Sequence, residues 1–112
     1  MENDAPAGPG PPSTTPAGDG RRPLAVMLVD DHEVVRSGIK AMLAATDDLR
    51  VVAEAESVAQ AVREAERTRP DVVVMDIRLV DGSGIEATRE IRTRLPGTQV
   101  LMLTSFADDE AL

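Results

Sequence analysis

The chain has 112 residues, no cysteine and a net charge of −8. That length suits one small domain, and the lack of cysteine excludes disulfides and thiolate chemistry. The acidic balance and a single aromatic residue, Phe106, argue against nucleic-acid binding by this segment.

Met1–Pro23 holds six of the eight prolines and four of the eight glycines. It has too little apolar surface to offset its ordering entropy, so a disordered tail is expected there. It lacks the apolar core of a secretory signal, and no later stretch reaches membrane-spanning length. A cytoplasmic protein with no membrane partner is expected. The folded domain is placed at Leu24–Leu112.

Ala25 to Asp31 is an apolar run that ends in two adjacent carboxylates. Such a run reads as a strand buried on both faces, as in parallel sheets. The pattern then changes period. Val34, Val35, Gly38, Ile39, Met42 and Leu43 mark one face of a helix over about His32–Ala45, with Gly38 allowing close packing. Leu49–Ala55 is a second strand. Ser57 and Gln60 fit a capping box for a helix carrying Val58, Ala61, Val62 and Ala65, which ends near Thr68 ahead of Pro70.

Asp71–Asp76 is another apolar run that closes on a carboxylate. Asp81–Gly84 reads as a turn. Ser83 and Glu86 offer a second capping box, opening a helix with Ile85, Thr88, Ile91 and Leu95 as its stripe. Leu95-Pro96-Gly97 stops it. Val100–Leu103 is a fourth strand followed by Thr104 and Ser105, and Ala107–Leu112 starts a further helix. This alternation predicts an α/β fold, a doubly wound parallel sheet with helices on both faces.

In such a sheet the carboxyl ends of the strands share one edge, where ligands bind. Asp30, Asp31, Asp76 and Thr104 all fall at that edge. Like charges raise the cost of ionising neighbouring carboxylates, and a hard cation such as Mg²⁺ relieves it. One carboxylate can then act as nucleophile toward a phosphoryl group, and the threonine hydroxyl can bond a phosphoryl oxygen. His32, the only histidine, is expected to be exposed and hydrogen-bonded rather than a ligand. The first strand-to-helix turn has no glycine-rich loop, which disfavours a dinucleotide site or P-loop.

Leu28–Gly38, Pro70–Leu79 and Val100–Ser105 resemble the receiver domain of bacterial two-component response regulators. The Asp-Asp-His-Glu-Val-Val-Arg wording is most similar to regulators that carry a LuxR-type helix-turn-helix. The resemblance implies a flavodoxin-like receiver fold, with strand order 2-1-3-4 among the strands present. It implies that Asp76 is the phosphoacceptor for a sensor histidine kinase. It further implies Asp31 as a direct Mg²⁺ ligand, Asp30 as a ligand through water and the Arg78 backbone carbonyl as completing the site. Thr104 matches the switch hydroxyl, and Gly84 the family's glycine after the third strand. A homodimer is among the implied partners, and the output is transcriptional control through a DNA-binding segment outside this chain. The alternative is a phosphorylation-defective interaction module that binds a kinase or a partner regulator.

Two departures from the family pattern stand out. The family usually has proline near Val80, so a less rigid loop is expected after Asp76. The family's fifth strand, with its lysine, and its fifth helix have no counterpart, and Lys40, the only lysine, lies in the first helix. A fragment of a longer regulator is therefore expected, with an open edge on the fourth strand and an incompletely covered first helix.

Overall fold

The computed structural model describes residues 22–103. The body of the expected tail, Thr104 with its expected switch role, and the helix start expected at Ala107–Leu112 lie outside them. Nine elements follow in order: β1 Leu24–Val29, α1 Glu33–Leu43, β2 Leu49–Ala55, α2 Val58–Thr68, β3 Val72–Asp76, β4 Arg78–Leu79, β5 Gly82–Ser83, α3 Gly84–Arg94 and β6 Gln99–Leu103. Four strands form one sheet in the order β2-β1-β3-β6, and every neighbouring pair is parallel. This is the expected order, with β6 as the predicted fourth strand. The short β4 and β5 pair only with each other, antiparallel.

Strand alternation assigns the two faces. Met27, Val29, Ala53, Ala55, Val73 and Met75 point to one side, where they pack with Ala61 and Ala65 of α2 and Ala87 and Ile91 of α3. Met27, Val73 and Met75 are fully buried, and each such side chain contributes about 1.5–3 kcal/mol by leaving water. Val26 and Leu28 point the other way. So does Glu54, which bonds Arg36 and Lys40 of α1, and that places α1 on the opposite face.

The two faces differ in closure. α1 has no buried residue, in keeping with the expected uncovered helix. Val34 is 83% exposed and Met42 67%, so its apolar stripe is split: Ile39 and Leu43 are half-covered while Val34 and Met42 face out. The α3 stripe also differs from the period reading. Ile85 is exposed, and Ala87 turns inward with Ile91. On β6, Val100 and Met102 join the core while Leu101 and Leu103 are exposed. β6 is the outer strand among the described residues.

Local chemistry sets the helix ends. Ser57 Oγ accepts from the Gln60 N–H, but Gln60 Oε1 accepts from the Glu56 N–H rather than from Ser57. The box therefore closes one residue early. At α3 the reciprocal box forms, with Ser83 Oγ accepting from Ile85 N–H and Glu86 Oε1 from Ser83 N–H. α2 ends as Arg69 enters the left-handed region (φ 46°) ahead of Pro70. At the amino-terminal edge, Asp71 accepts from the Ala25 N–H and is gripped at both oxygens by Arg22. The buried Thr98 hydroxyl donates to the Pro70 carbonyl.

Two glycines have opposite roles. A Cβ on Gly38 would meet nothing within 4 Å among the described residues, so the close packing expected there is not found among them. A Cβ on Gly84 would overlap the carbonyl oxygen of Asp76. Gly38→Ala should stabilise the chain by about 0.5–1 kcal/mol, the helix-propensity difference. Gly84→Ala should cost more than about 3 kcal/mol, because backbone must move to admit the methyl group. Urea unfolding of the two variants measures both.

Candidate functional site

β1 ends at Val29, two residues before the sequence pattern implied, so Asp30 and Asp31 lie in the turn that leads into α1. The Asp30 N–H donates to the Ala55 carbonyl at 3.0 Å, which ties this turn to β2. Asp30 Oδ1 accepts from the His32 N–H at 2.8 Å, a side-chain turn typical of aspartate. The carbonyl of Asp30 accepts from Arg36 Nη1 at 2.6 Å.

Asp76 is the last residue of β3 and only 4% exposed. Parallel pairing of β3 with β1 carries it to the same edge as the first turn. Asp30, Asp31, His32 and Asp76 can each present one ligand atom, all within 4.8 Å of one another. Residues 45 positions apart thus meet as the strand topology required. His32 is half-exposed and hydrogen-bonded, as expected. Its Nδ1 is 2.7 Å from Asp30 Oδ1 and 3.0 Å from Asp31 Oδ1.

The electrostatics are unbalanced. Among the described residues Asp76 Oδ2 and Asp31 Oδ1 are buried and accept no hydrogen bond, although His32 Nδ1 stands 3.0 Å from the latter, and buried oxygens left in this way cost free energy. Burial is the main cause that pushes the Asp76 carboxyl above its ordinary range. The Asp30 and Asp31 charges add to the rise, while the Arg78 backbone N–H and His32 oppose it. His32 is raised by its bond to Asp30 and then by the Asp31 charge. Oxygen donors, excess negative charge and two buried carboxylate oxygens that accept no hydrogen bond from the described residues fit a hard divalent cation.

The remaining expected site residues fall as follows. Arg78 is two residues past Asp76 in β4, with an exposed side chain. Gly84 opens α3 directly on the Asp76 carbonyl, and its N–H donates to the Ile77 carbonyl at 2.6 Å. The loop near Val80, expected to be loose, is braced instead. It forms the β4–β5 hairpin, and the Asp81 carboxylate accepts from the Val58 and Ala59 N–H groups at the start of α2. These amides bonds also hold the Asp81 carboxyl below its ordinary range.

Sequence reasoning missed Asp81 and Arg36. The sequence around Asp81 shows turn chemistry alone, because its partners lie 23 and 22 positions earlier and leave no local signature. Arg36 sits one helical turn beyond His32, and that spacing was its only sequence signal.

The comparisons with known proteins agree with this geometry. The family model for the response regulator receiver domain matches residues 26–112. The chain is 52% identical over 87 residues to the DNA-binding transcriptional activator DevR/DosR of Mycobacterium tuberculosis, covering 78% of this chain and 40% of that protein. It is 44% identical over 87 residues to the response regulator protein VraR of Staphylococcus aureus, covering 78% and 42%. Among solved structures, a LuxR-family two-component response regulator from Aurantimonas sp. SI85-9A1 aligns with a TM-score of 0.70 and 41% identity, over 73% of this chain and 59% of that one. The chain thus spans about two-fifths of the length of these curated relatives. With the sheet order, the acid cluster and the family match in agreement, the chain belongs to the response regulator receiver family.

Proposed function

We propose that this receiver takes a phosphoryl group onto Asp76 from the phosphohistidine of a sensor kinase. The observation that carries the reading is Asp76 itself: a buried carboxylate with one oxygen that accepts no hydrogen bond from the described residues, set against Asp30 and Asp31 at the edge of a parallel sheet. In the transfer an Asp76 oxygen attacks phosphorus, the phosphorus–nitrogen bond breaks, and the histidine leaves. Asp31, Asp76 and the Arg78 backbone carbonyl would hold Mg²⁺, with Asp30 acting through water. Bound there, Mg²⁺ supplies positive charge that offsets the crowded carboxylates and the incoming phosphoryl oxygens.

Thr104 is the proposed switch hydroxyl, which would bond a phosphoryl oxygen and start the conformational change. The output proposed is transcriptional control in the cytoplasm through a separate DNA-binding segment, with homodimerisation of the phosphorylated form. A second reading, a phosphorylation-independent module that binds a kinase or another regulator, draws on one observation. The only lysine of the sequence, Lys40 on α1, is engaged by Glu54 on β2.

Incubation with Mg²⁺ and a small phosphodonor, read by intact mass, separates the two. Addition of one phosphoryl group to the chain and none to Asp76→Asn supports transfer. An unmodified chain that nevertheless binds Mg²⁺ supports the interaction module.

The raised Asp76 pKa makes a second expectation. A carboxyl that is harder to ionise folded than unfolded binds more protons in the folded state, between its unfolded value of about 3.9 and its folded value. Stability therefore falls as pH rises through that window, and the ionised group remains a net cost at neutral pH. Asp76→Asn should raise the melting temperature at pH 7 without divalent cations. It should also flatten the pH dependence of stability over that window. Mg²⁺ should raise the melting temperature of the parent chain more than that of the variant, and thermal melts at several pH values measure all three effects.

A further inference from the structure

We infer that Arg36 is a positioning residue for the acid cluster, its guanidinium braced by Glu54 so that it fixes the carbonyl of Asp30 and thereby the placement of Asp31. This inference rests on the Mg²⁺ reading of the cluster.

The geometry is specific. Arg36 has a side chain only 14% exposed. One edge, Nε, donates to Glu54 Oε1 at 3.0 Å, and Nη1 donates to the Asp30 carbonyl at 2.6 Å. Glu54 is itself held from its other oxygen by Lys40 Nζ at 2.8 Å. A planar guanidinium presents donors in fixed directions and can satisfy both partners at once, whereas a lysine ammonium is a single point.

The consequence passes through covalent structure. The carbonyl of Asp30 and the Cα of Asp31 belong to one rigid peptide plane. Pinning that oxygen therefore orients the Asp31 residue, whose buried Oδ1 accepts no hydrogen bond among the described residues and lies 3.0 Å from His32 Nδ1. The pin matters here because α1 buries none of its residues. Apolar packing alone fixes this helix less firmly than α2 or α3, so polar contacts must locate the turn that leads into it. A bond of this kind behind a metal ligand typically changes metal affinity by about 10–100-fold.

The test is Mg²⁺ titration of the 112-residue chain by calorimetry, paired with urea unfolding in the absence of divalent cations. Arg36→Ala and Arg36→Lys should each weaken Mg²⁺ binding by about tenfold or more. Lys conserves charge and much of the length, so its failure to rescue isolates the two-edged geometry. Arg94→Ala removes the Arg94–Glu66 bridge between α3 and α2 and serves as the stability control. It should leave affinity within about twofold, even where it matches the Arg36 variants in lost stability. If the parent chain binds Mg²⁺ and Arg36→Lys binds it within twofold, the inference is overturned while the functional reading stands. Equal weakening by Arg94→Ala overturns it too, since the effect would then follow stability alone. If the parent chain binds no Mg²⁺, the reading of the cluster fails and the inference fails with it. Should Arg36→Ala not fold, Arg36→Lys carries the decision.

Discussion

The repulsion among Asp30, Asp31 and Asp76 is the constraint on which the rest of the structure depends. Three carboxylates within reach of one small ion repel each other, and one of them is nearly buried. Nothing local in the chain compels this arrangement. It is imposed by β1 and β3, whose shared direction brings their ends to one edge. The apolar interior of those strands, led by Met27, Val73 and Met75, offsets the electrostatic cost. A well-packed sheet here holds charges where water alone would let them separate, so the packing of the core and the chemistry of the edge are coupled.

The fold was legible in the sequence because its signals are local and repeated. Apolar runs gave the four principal strands, and Ser57, Ser83 and Pro70 marked helix ends close to where they occur. The acid cluster was legible for the same reason, since each carboxylate directly follows an apolar run and topology does the rest. What escaped was set by partners distant in sequence. Whether Ile85 or Ala87 turns inward depends on the sheet beneath α3, and the period alone admits both. The glycine at position 38 suggests a packing device, but among the described residues nothing lies within 4 Å of where its Cβ would stand. Asp81 and Arg36 matter through hydrogen bonds to backbone groups that no residue pattern advertises.

The two faces of the sheet do different work. On one, α2 and α3 are joined by the core cluster and by the Arg94–Glu66 ion pair. An exposed pair of this kind adds little by itself, so the apolar contacts decide how firmly that layer is held. On the other, α1 relies on Arg36, Lys40 and Glu54, a small polar group that reaches from helix to strand. Glu54 is drawn below the ordinary carboxyl range, chiefly by Lys40, with burial opposing. Its charge, and with it the hold on α1, persists until the medium becomes distinctly acidic.

The contact between Gly84 and the end of β3 has a mechanical consequence. The Gly84 N–H holds the Ile77 carbonyl, and the residue's bare Cα lies against the carbonyl of Asp76. No slack separates the reactive strand end from the first turn of α3. The β4–β5 hairpin spans the same junction and is fastened at its tip to α2 through Asp81. A displacement of the Asp76 backbone therefore cannot be absorbed by the intervening loop. It is delivered as a push on α3, making that helix the stiff lever arm of the domain and the β3–α3 junction its fulcrum.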